Sequence, residues 1–472
     1  MFSGDFKIIL VSCIVLIFST VVFLFILGGN QKIDFQSAYL TDTLANQNEE
    51  SQAATTTIKG GLSVATTSVK LADLRLLSDF SAIKQGLLSS GREFWEANLA
   101  SRQLVFYQEG KEQLRFPLLR RGDASEWGGT PLGLYDIKSK DGLVFSAAAD
   151  TWMPYSMKFY GKYYVHGEPY YENGQKYSQE FSGGCVELTD SDTKKVFNSV
   201  VEGTPFLVID QENDGYQYQN AQLISFPEIS AESFMAADIG AGLVLAEKNS
   251  QAIFPIGEIT QLMMAAVMVE NTNLRKSVVI NGDILQNRQE DSVVKIGQRF
   301  PVVGLFYPLL METSYNAARA LGYFWGHDQT LALMNEKAGI ILMPNTYFAD
   351  LSGQSSRNIS TAQDLFYLTK YVFQTRPTLF QISRGQKVRT FGPLPFSLSS
   401  LQQNNIFPDD TDFLGGKTAS KTNASQSGVF VFQAIHADGK IRKLAIIVLG
   451  SANLLADTEK IYQWTKASYF SN

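Results

Sequence analysis

Cysteine is almost missing from this chain: Cys13 and Cys185 are its two sulfhydryls. Two sulfurs close one bridge at most, so no disulfide framework holds the protein together. Histidine is nearly as scarce, with His166, His327 and His436. Basic blocks are absent and the net charge is −6. The cationic footprint that nucleic-acid binding requires is therefore lacking. No internal repeat and no heptad array is present, which sets aside solenoids and coiled coils. Neither a metal nor a cofactor is expected.

A long uncharged run is present, at 8–29 (IILVSCIVLIFSTVVFLFILGG). At about 1.5 Å per residue it spans a hydrocarbon core of roughly 30 Å. It has no A-x-A-like exit, which favours a retained anchor over a cleaved signal peptide. Lys7 and the α-amino group precede it, partly offset by Asp5, and place the N-terminus in the cytoplasm with the rest outside. The expectation is a single-pass protein of the cell membrane, its folded domains extracytoplasmic. Cys13 then lies in the bilayer and cannot pair with Cys185. A lone exported thiol is a liability unless buried or used. Composition alone leaves both readings open: a small buried apolar residue, or a nucleophile.

With 472 residues the chain exceeds one ordinary core. Residues 1–29 read as cytoplasmic tip and anchor. Residues 30–91 read as a flexible Ser/Thr/Ala/Gln-rich spacer ending in an amphipathic lead-in helix near Leu74–Phe80. From 92 to 211 short strands dominate: a hairpin over 104–116 turning at Gly110, then strands at 130–137, 162–167 and 204–210, with a helix over 191–203 ending at Gly203. A second domain, 231–470, opens with a hairpin around Gly240. It continues with helical patterns at 258–270, 305–323 and 360–374, the last with Ser360 at capping-box spacing, and returns to strands at 428–437 and 443–451.

His166 precedes Cys185 by 19 residues within the small strand-rich domain. Thiol catalysis needs such a pair, since imidazole takes the proton and the thiolate attacks a carbonyl. Gly183 and Gly184 before the thiol let backbone N–H groups turn toward a developing oxyanion. Gly167 follows His166, and a backbone carbonyl there is suited to fix the imidazole tautomer.

HGEPYYENGQKYSQEFSGGC (166–185) resembles the active-site signature of YkuD-type L,D-transpeptidases, in which a His leads to a Ser-x-Gly-Cys run. Thr130-Pro131-Leu132-Gly133 looks like the family's TP-x-G element, and 153–167 like its strand into the catalytic His. The resemblance implies that Cys185 attacks a tetrapeptide stem, D-alanine leaves, and an amine of a neighbouring stem resolves the thioester to a 3→3 cross-link. His166 would serve as base and then acid, Gly184 and Cys185 with Gly183 as oxyanion donors, and Ser182 as loop support. Tyr155 is a candidate substrate contact. Glu187 departs from the pattern, standing where the family usually carries Arg; it bears on substrate choice and, if it shares a face with the thiol, raises its pKa.

Residues 231–470 resemble serine D-alanyl-D-alanine carboxypeptidases, the low-molecular-weight penicillin-binding proteins. Ser314-Tyr315-Asn316 matches their Ser-x-Asn, and Lys417-Thr418 matches their Lys-Thr-Gly strand imperfectly. Where the Ser-x-x-Lys nucleophile and its base belong, this chain has Glu258 and Gln261. Neither forms an acyl-enzyme by the usual route, so a pseudo-enzyme is expected, in which Ser314, Asn316, Lys417 and Thr418 either bind a peptide carboxylate or are ordinary structural residues. The expected architecture is multidomain: an N-terminal transmembrane helix, a mainly-β YkuD-like sandwich, and an α/β penicillin-binding-protein/β-lactamase-like domain. The expected partners are peptidoglycan stem peptides and the cytoplasmic membrane. An L,D-carboxypeptidase trimming D-alanine and an inactive wall-binding protein are the alternatives.

Overall fold

Helix α1 (Phe80–Ser89) turns Phe80, Ile83 and Leu87 inward, a spacing that lines one helical face. The chain then enters β1 (Phe94–Asn98), β2 (Gln103–Gln108) and β3 (Lys111–Pro117). Glu109 and Gly110 join β2 to β3 with φ of 52° and 71°, the pair of left-handed residues a tight primed hairpin turn demands. These coordinates come from a computed structural model that describes residues 80–470 apart from 211–215, 217, 219–223, 287–292, 405–406, 408–409, 423–424 and 437. The apolar run 8–29, most of the spacer and Leu74–Leu77 lie outside the described residues. Among the described residues no helix is long and apolar enough to cross a membrane.

Two sheets build the first half. β4 (Gly133–Asp136) and β9 (Pro205–Ile209) complete a sheet of order β3-β2-β1-β9-β4. β5 (Ser139–Ser146), β6 (Thr151–Tyr160), β7 (Tyr163–His166) and β8 (Val186–Glu187) form the second, in that order. Aromatic rings meet between them: Phe159 of β6 lies 4.9 Å from Phe206 of β9 and 5.2 Å from Tyr135 of β4. Helix α2 (Asp190–Ser199) is capped by Thr189, whose side chain accepts from the Asp192 N–H. It ends short of the expected Gly203 because Val200 is already extended, with ψ of 137°.

In the second half β10 (Ser233–Asp238) and β11 (Val244–Lys248) form the expected hairpin. Helix α3 (Thr260–Asn271) is buried along its whole length. The single helix expected over 305–323 is two: α4 (Val302–Met311) and α5 (Tyr315–Gly322). Thr313 breaks the run with φ of 61°, and Ser314 caps α5 by accepting from the Ala317 N–H at 2.9 Å. After α6 (His327–Ile340), the cap of α7 (Ala362–Thr375) is Thr361, one residue beyond Ser360; its hydroxyl accepts from the Asp364 N–H at 3.0 Å. α8 (Pro377–Ser383) leads to β12 (Phe413–Thr422), β13 (Ser425–Ile435), β14 (Ile441–Ser451) and α9 (Leu454–Tyr469). The antiparallel sheet runs β11-β10-β14-β13-β12. Phe234, Phe430, Phe432, Ile446 and Val448 pack with Ile461 and Trp464 of α9 on one face, and α7 packs against β10 and β14. All the described residues belong to one compact unit.

Candidate active site

The thiol sits where a glycine loop feeds a strand. β7 and β8 pair in parallel, with Val165 opposite Val186 and His166 opposite Glu187. Side chains alternate along extended chain, so Cys185, Glu187 and His166 share one side of this sheet edge. Gly183 and Gly184 carry φ of 71° and 116°, values side chains of L-residues rarely adopt. Gly184 also has no room for one: an added Cβ would lie 2.3 Å from the Tyr163 ring. Ser182 ties the loop down, its hydroxyl donating to the Cys185 carbonyl at 2.5 Å and its N–H to the Arg121 carbonyl at 3.0 Å. Thr130 of the TP-x-G element accepts from the Gly122 N–H at 2.9 Å. Gly122 in turn faces Gly184, since a Cβ on it would lie 2.7 Å from the Gly184 Cα.

His166 Nδ1 is 2.6 Å from the Gly167 carbonyl. A carbonyl only accepts, so Nδ1 carries the proton and Nε2 is left as the acceptor. Burial holds the imidazole down, to about 4, against the Gly167 carbonyl that favours its charged form. Burial likewise pushes the Cys185 thiol up to about 12; the Glu187 carboxylate adds to this, while the Tyr164 N–H and the Lys162 ammonium oppose it. Both directions favour the neutral forms, a thiol at Cys185 and an imidazole at His166. Glu187 is itself buried and lifted to about 7 by burial, against the pull of Arg120. Its Oε1 accepts from Arg120 Nε at 2.9 Å and Nη2 at 2.5 Å. Tyr155 sits in β6 at φ of 51° with its ring 5.9 Å from Phe197 of α2.

In the second half Glu258 and Gln261 lie at the start of α3, both buried. Tyr315 donates to Glu258 Oε1 at 2.6 Å. The Gln261 amide donates to the carbonyls of Ser352 at 2.9 Å and Thr313 at 3.3 Å, so it sits in a hydrogen-bonded slot, where it cannot act as a base. Lys417 donates to the Leu309 carbonyl at 3.2 Å; burial takes its ammonium down to about 7, with Glu258 opposing. Glu258, Tyr315 and Lys417 therefore come together. Ser314 is the α5 cap, Asn316 accepts from Arg319 at 3.0 Å, and Thr418 donates to the Asn404 carbonyl at 3.1 Å. A cavity of about 470 Å³ opens alongside, bordered by Ser352, Asp350, Arg319 and Tyr323. Among the described residues no cluster of His, Cys, Asp or Glu is arranged to hold a metal ion.

Sequence reasoning passes over Arg120, Lys162 and Tyr163, all of which border the thiol loop. Arg120 had a weak signal, as one of two adjacent arginines shortly before the TP-x-G element. Nothing in the sequence connects Glu270, Lys337 and Arg376, which follow one another at intervals of 67 and 39 residues, to this site.

Comparison with known proteins divides the chain at the same place as the two sheet systems. Residues 93–208 match the family described as the L,D-transpeptidase catalytic domain, and residues 220–453 the D-alanyl-D-alanine carboxypeptidase family. A D-alanyl-D-alanine endopeptidase of Escherichia coli is 25% identical over 253 residues, covering 52% of this chain and 80% of its own. One from Haemophilus influenzae is 33% identical over 145 residues, 30% of this chain and 50% of its own. Among solved structures, a D-alanyl-D-alanine carboxypeptidase from Mycobacterium tuberculosis H37Rv is 24% identical, with a TM-score of 0.45 over 53% of this chain and 96% of that one.

Proposed function

Because this chain joins an L,D-transpeptidase catalytic domain to a D-alanyl-D-alanine carboxypeptidase domain and is thereby a peptidoglycan-acting enzyme, we propose that it forms 3→3 cross-links between stem peptides through a thioester on Cys185. The observation that carries this is the parallel register of β7 and β8, which sets His166 and Cys185 on one side of the sheet with Nε2 as the free acceptor. As Sγ attacks the carbonyl of a tetrapeptide stem, its proton moves to His166 Nε2. The N–H groups of Gly184 and Cys185, with Gly183, receive the oxyanion. His166 returns the proton to the departing D-alanine amine, and a thioester remains. An amine of a second stem, deprotonated by His166, attacks it; the new amide forms and the thiol takes the proton back. The neutral resting pair suits this order, because charge appears only during attack and inside a site that excludes water.

The second half serves as a pseudo-enzyme in this reading. Glu258 and Gln261 cannot supply the hydroxyl and amine that the carboxypeptidase route needs. The run 8–29 anchors the chain, with both domains on the outer side.

Incubating the full chain with disaccharide-tetrapeptides tests the proposal by mass spectrometry. Dimers of 3→3 type from the wild type and none from Cys185→Ala are expected. Released D-alanine without dimers would replace transpeptidation by hydrolysis. No turnover and no carbapenem adduct on Cys185 would remove both, and a penicillin ester on the second half would overturn the pseudo-enzyme assignment.

A further inference from the structure

Three charged side chains from the second half meet at full burial against the first. Glu270 of α3 lies 2.8 Å from Lys337 of α6 and 3.1 Å from Arg376, all with fully buried side chains. Tyr371 donates to Glu270 as well. Taking such ions out of water is costly, and a packed apolar seam of the same volume gives equal or better stability. What an ionic cluster adds is direction, since a guanidinium presents donors in a fixed fork.

That fork points at the thiol loop. Arg376 Nη1 donates to the Gly129 carbonyl at 2.7 Å and Nη2 to the Tyr163 hydroxyl at 3.1 Å. These same two groups wall in Gly184: a Cβ there would lie 2.3 Å from the Tyr163 ring and 3.1 Å from the Gly129 oxygen. Gly184 directly precedes Cys185. A second tie runs beside it, as Lys162 of the first half donates to the carbonyls of Val269 at 2.8 Å and Thr272 at 3.2 Å, at the C-terminal end of α3. Cations suit that end of a helix. The Lys162 ammonium is also one of the groups that favours the Cys185 thiolate.

We infer that Arg376, held by Glu270, which Lys337 also grips, is a positioning residue for Cys185, acting through Gly129 and Tyr163, so that the second half sets the geometry of the thiol loop. The inference rests on Cys185 being the nucleophile. It gives a domain without its own nucleophile a part in the chemistry of its neighbour.

Two variants of the full chain test it. Arg376→Lys keeps the charge facing Glu270 and loses the fork; Tyr163→Phe keeps the ring against Gly184 and loses the hydroxyl. Both are expected to lower kcat and the rate of carbapenem acylation about tenfold, a coupling of ordinary size, while KM stays near wild type. Iodoacetamide alkylation of Cys185, followed by peptide mapping, is expected to speed up by a similar factor as the loop loosens. A role in stability alone would lower the melting temperature and leave both rates alone below it. Arg442→Lys, which disturbs the buried Arg442–Asp238 pair in the sheet of the second half, is expected to do only that. Acylation and alkylation both within twofold of wild type in folded Tyr163→Phe would overturn the inference, as would slowed alkylation, or Arg442→Lys moving both rates equally. Tyr163→Phe decides where Arg376→Lys does not fold. A wild type that neither cross-links nor accepts a carbapenem would sink the transpeptidase reading, and alkylation would still decide the coupling.

Discussion

Arg120 clamps Glu187 from a neighbouring segment, placing two donors on one carboxylate oxygen two residues from the thiol. The same guanidinium reaches outward through Nη1, to the carbonyls of Tyr177 at 2.9 Å and Gln179 at 3.0 Å. One side chain thus ties the inner carboxylate to the segment that runs from His166 to the thiol.

Arg120→Ala is expected to leave Glu187 buried without its partner and to cost about 3–5 kcal/mol, the range for breaking a buried pair from one side. Urea unfolding monitored by circular dichroism measures it. Proteolysis should also begin at 177–181, where two carbonyls lose their donor.

Cys185 is expected to behave as a reluctant thiol. With its pKa near 12, its alkylation should still climb about tenfold per pH unit between pH 8 and 10, where an ordinary cysteine levels off near 9. Glu187→Gln removes a nearby negative charge and should move that profile to lower pH. Iodoacetamide rates across the range, read by mass spectrometry, check both.

His166 makes stability fall in acid. Its folded-state pKa, about 4, lies below the ordinary 6.5, so the unfolded chain takes up a proton first as pH drops. The contribution, on the order of 3 kcal/mol, is present above pH 6.5 and lost as pH falls toward 4. Glu187 acts in the opposite sense: its raised pKa, about 7, gives stability below the ordinary carboxylate value that is lost as pH rises through 7. His166→Gln should flatten the acid limb between 6.5 and 4 in urea midpoints taken across pH.

Gly184→Ala should abolish reaction at Cys185. The added methyl meets the Tyr163 ring at 2.3 Å, on a backbone with φ of 116°. Strain of this kind costs about 1–3 kcal/mol, before any clash is relieved by moving the loop. Carbapenem acylation should fall far more than thermal stability; equal stability and full acylation would contradict the tight fit described for the loop.

Local chemistry explains which parts of this molecule were legible in advance. The turn at Glu109-Gly110 and the hairpin at 240 follow from residues a few positions apart, and so does the contact of His166 Nδ1 with the Gly167 carbonyl. Apolar periodicity runs unbroken through 305–323 and predicts one helix; the break at Thr313 is a single left-handed residue that periodicity does not register. β5 carries no strand signal in the sequence, since it alternates weakly and lies largely at the surface. The altered positions Glu258 and Gln261 were visible as residues, but the slot that holds the Gln261 amide was not.

The sequence by itself determined a thiol 19 residues after an imidazole in one strand-rich domain, the glycines beside them, and Glu258 and Gln261 where the carboxypeptidase resemblance calls for a hydroxyl and an amine, since each is a property of residue type at short spacing. Tertiary structure alone decided that Arg120 faces Glu187, and that Arg376 reaches across from the second half to Gly129 and Tyr163 behind Gly184. Those contacts join residues far apart in the chain, and burial sets their strength: removing water from a charge makes its partner matter, and which partner arrives depends on how the two halves pack.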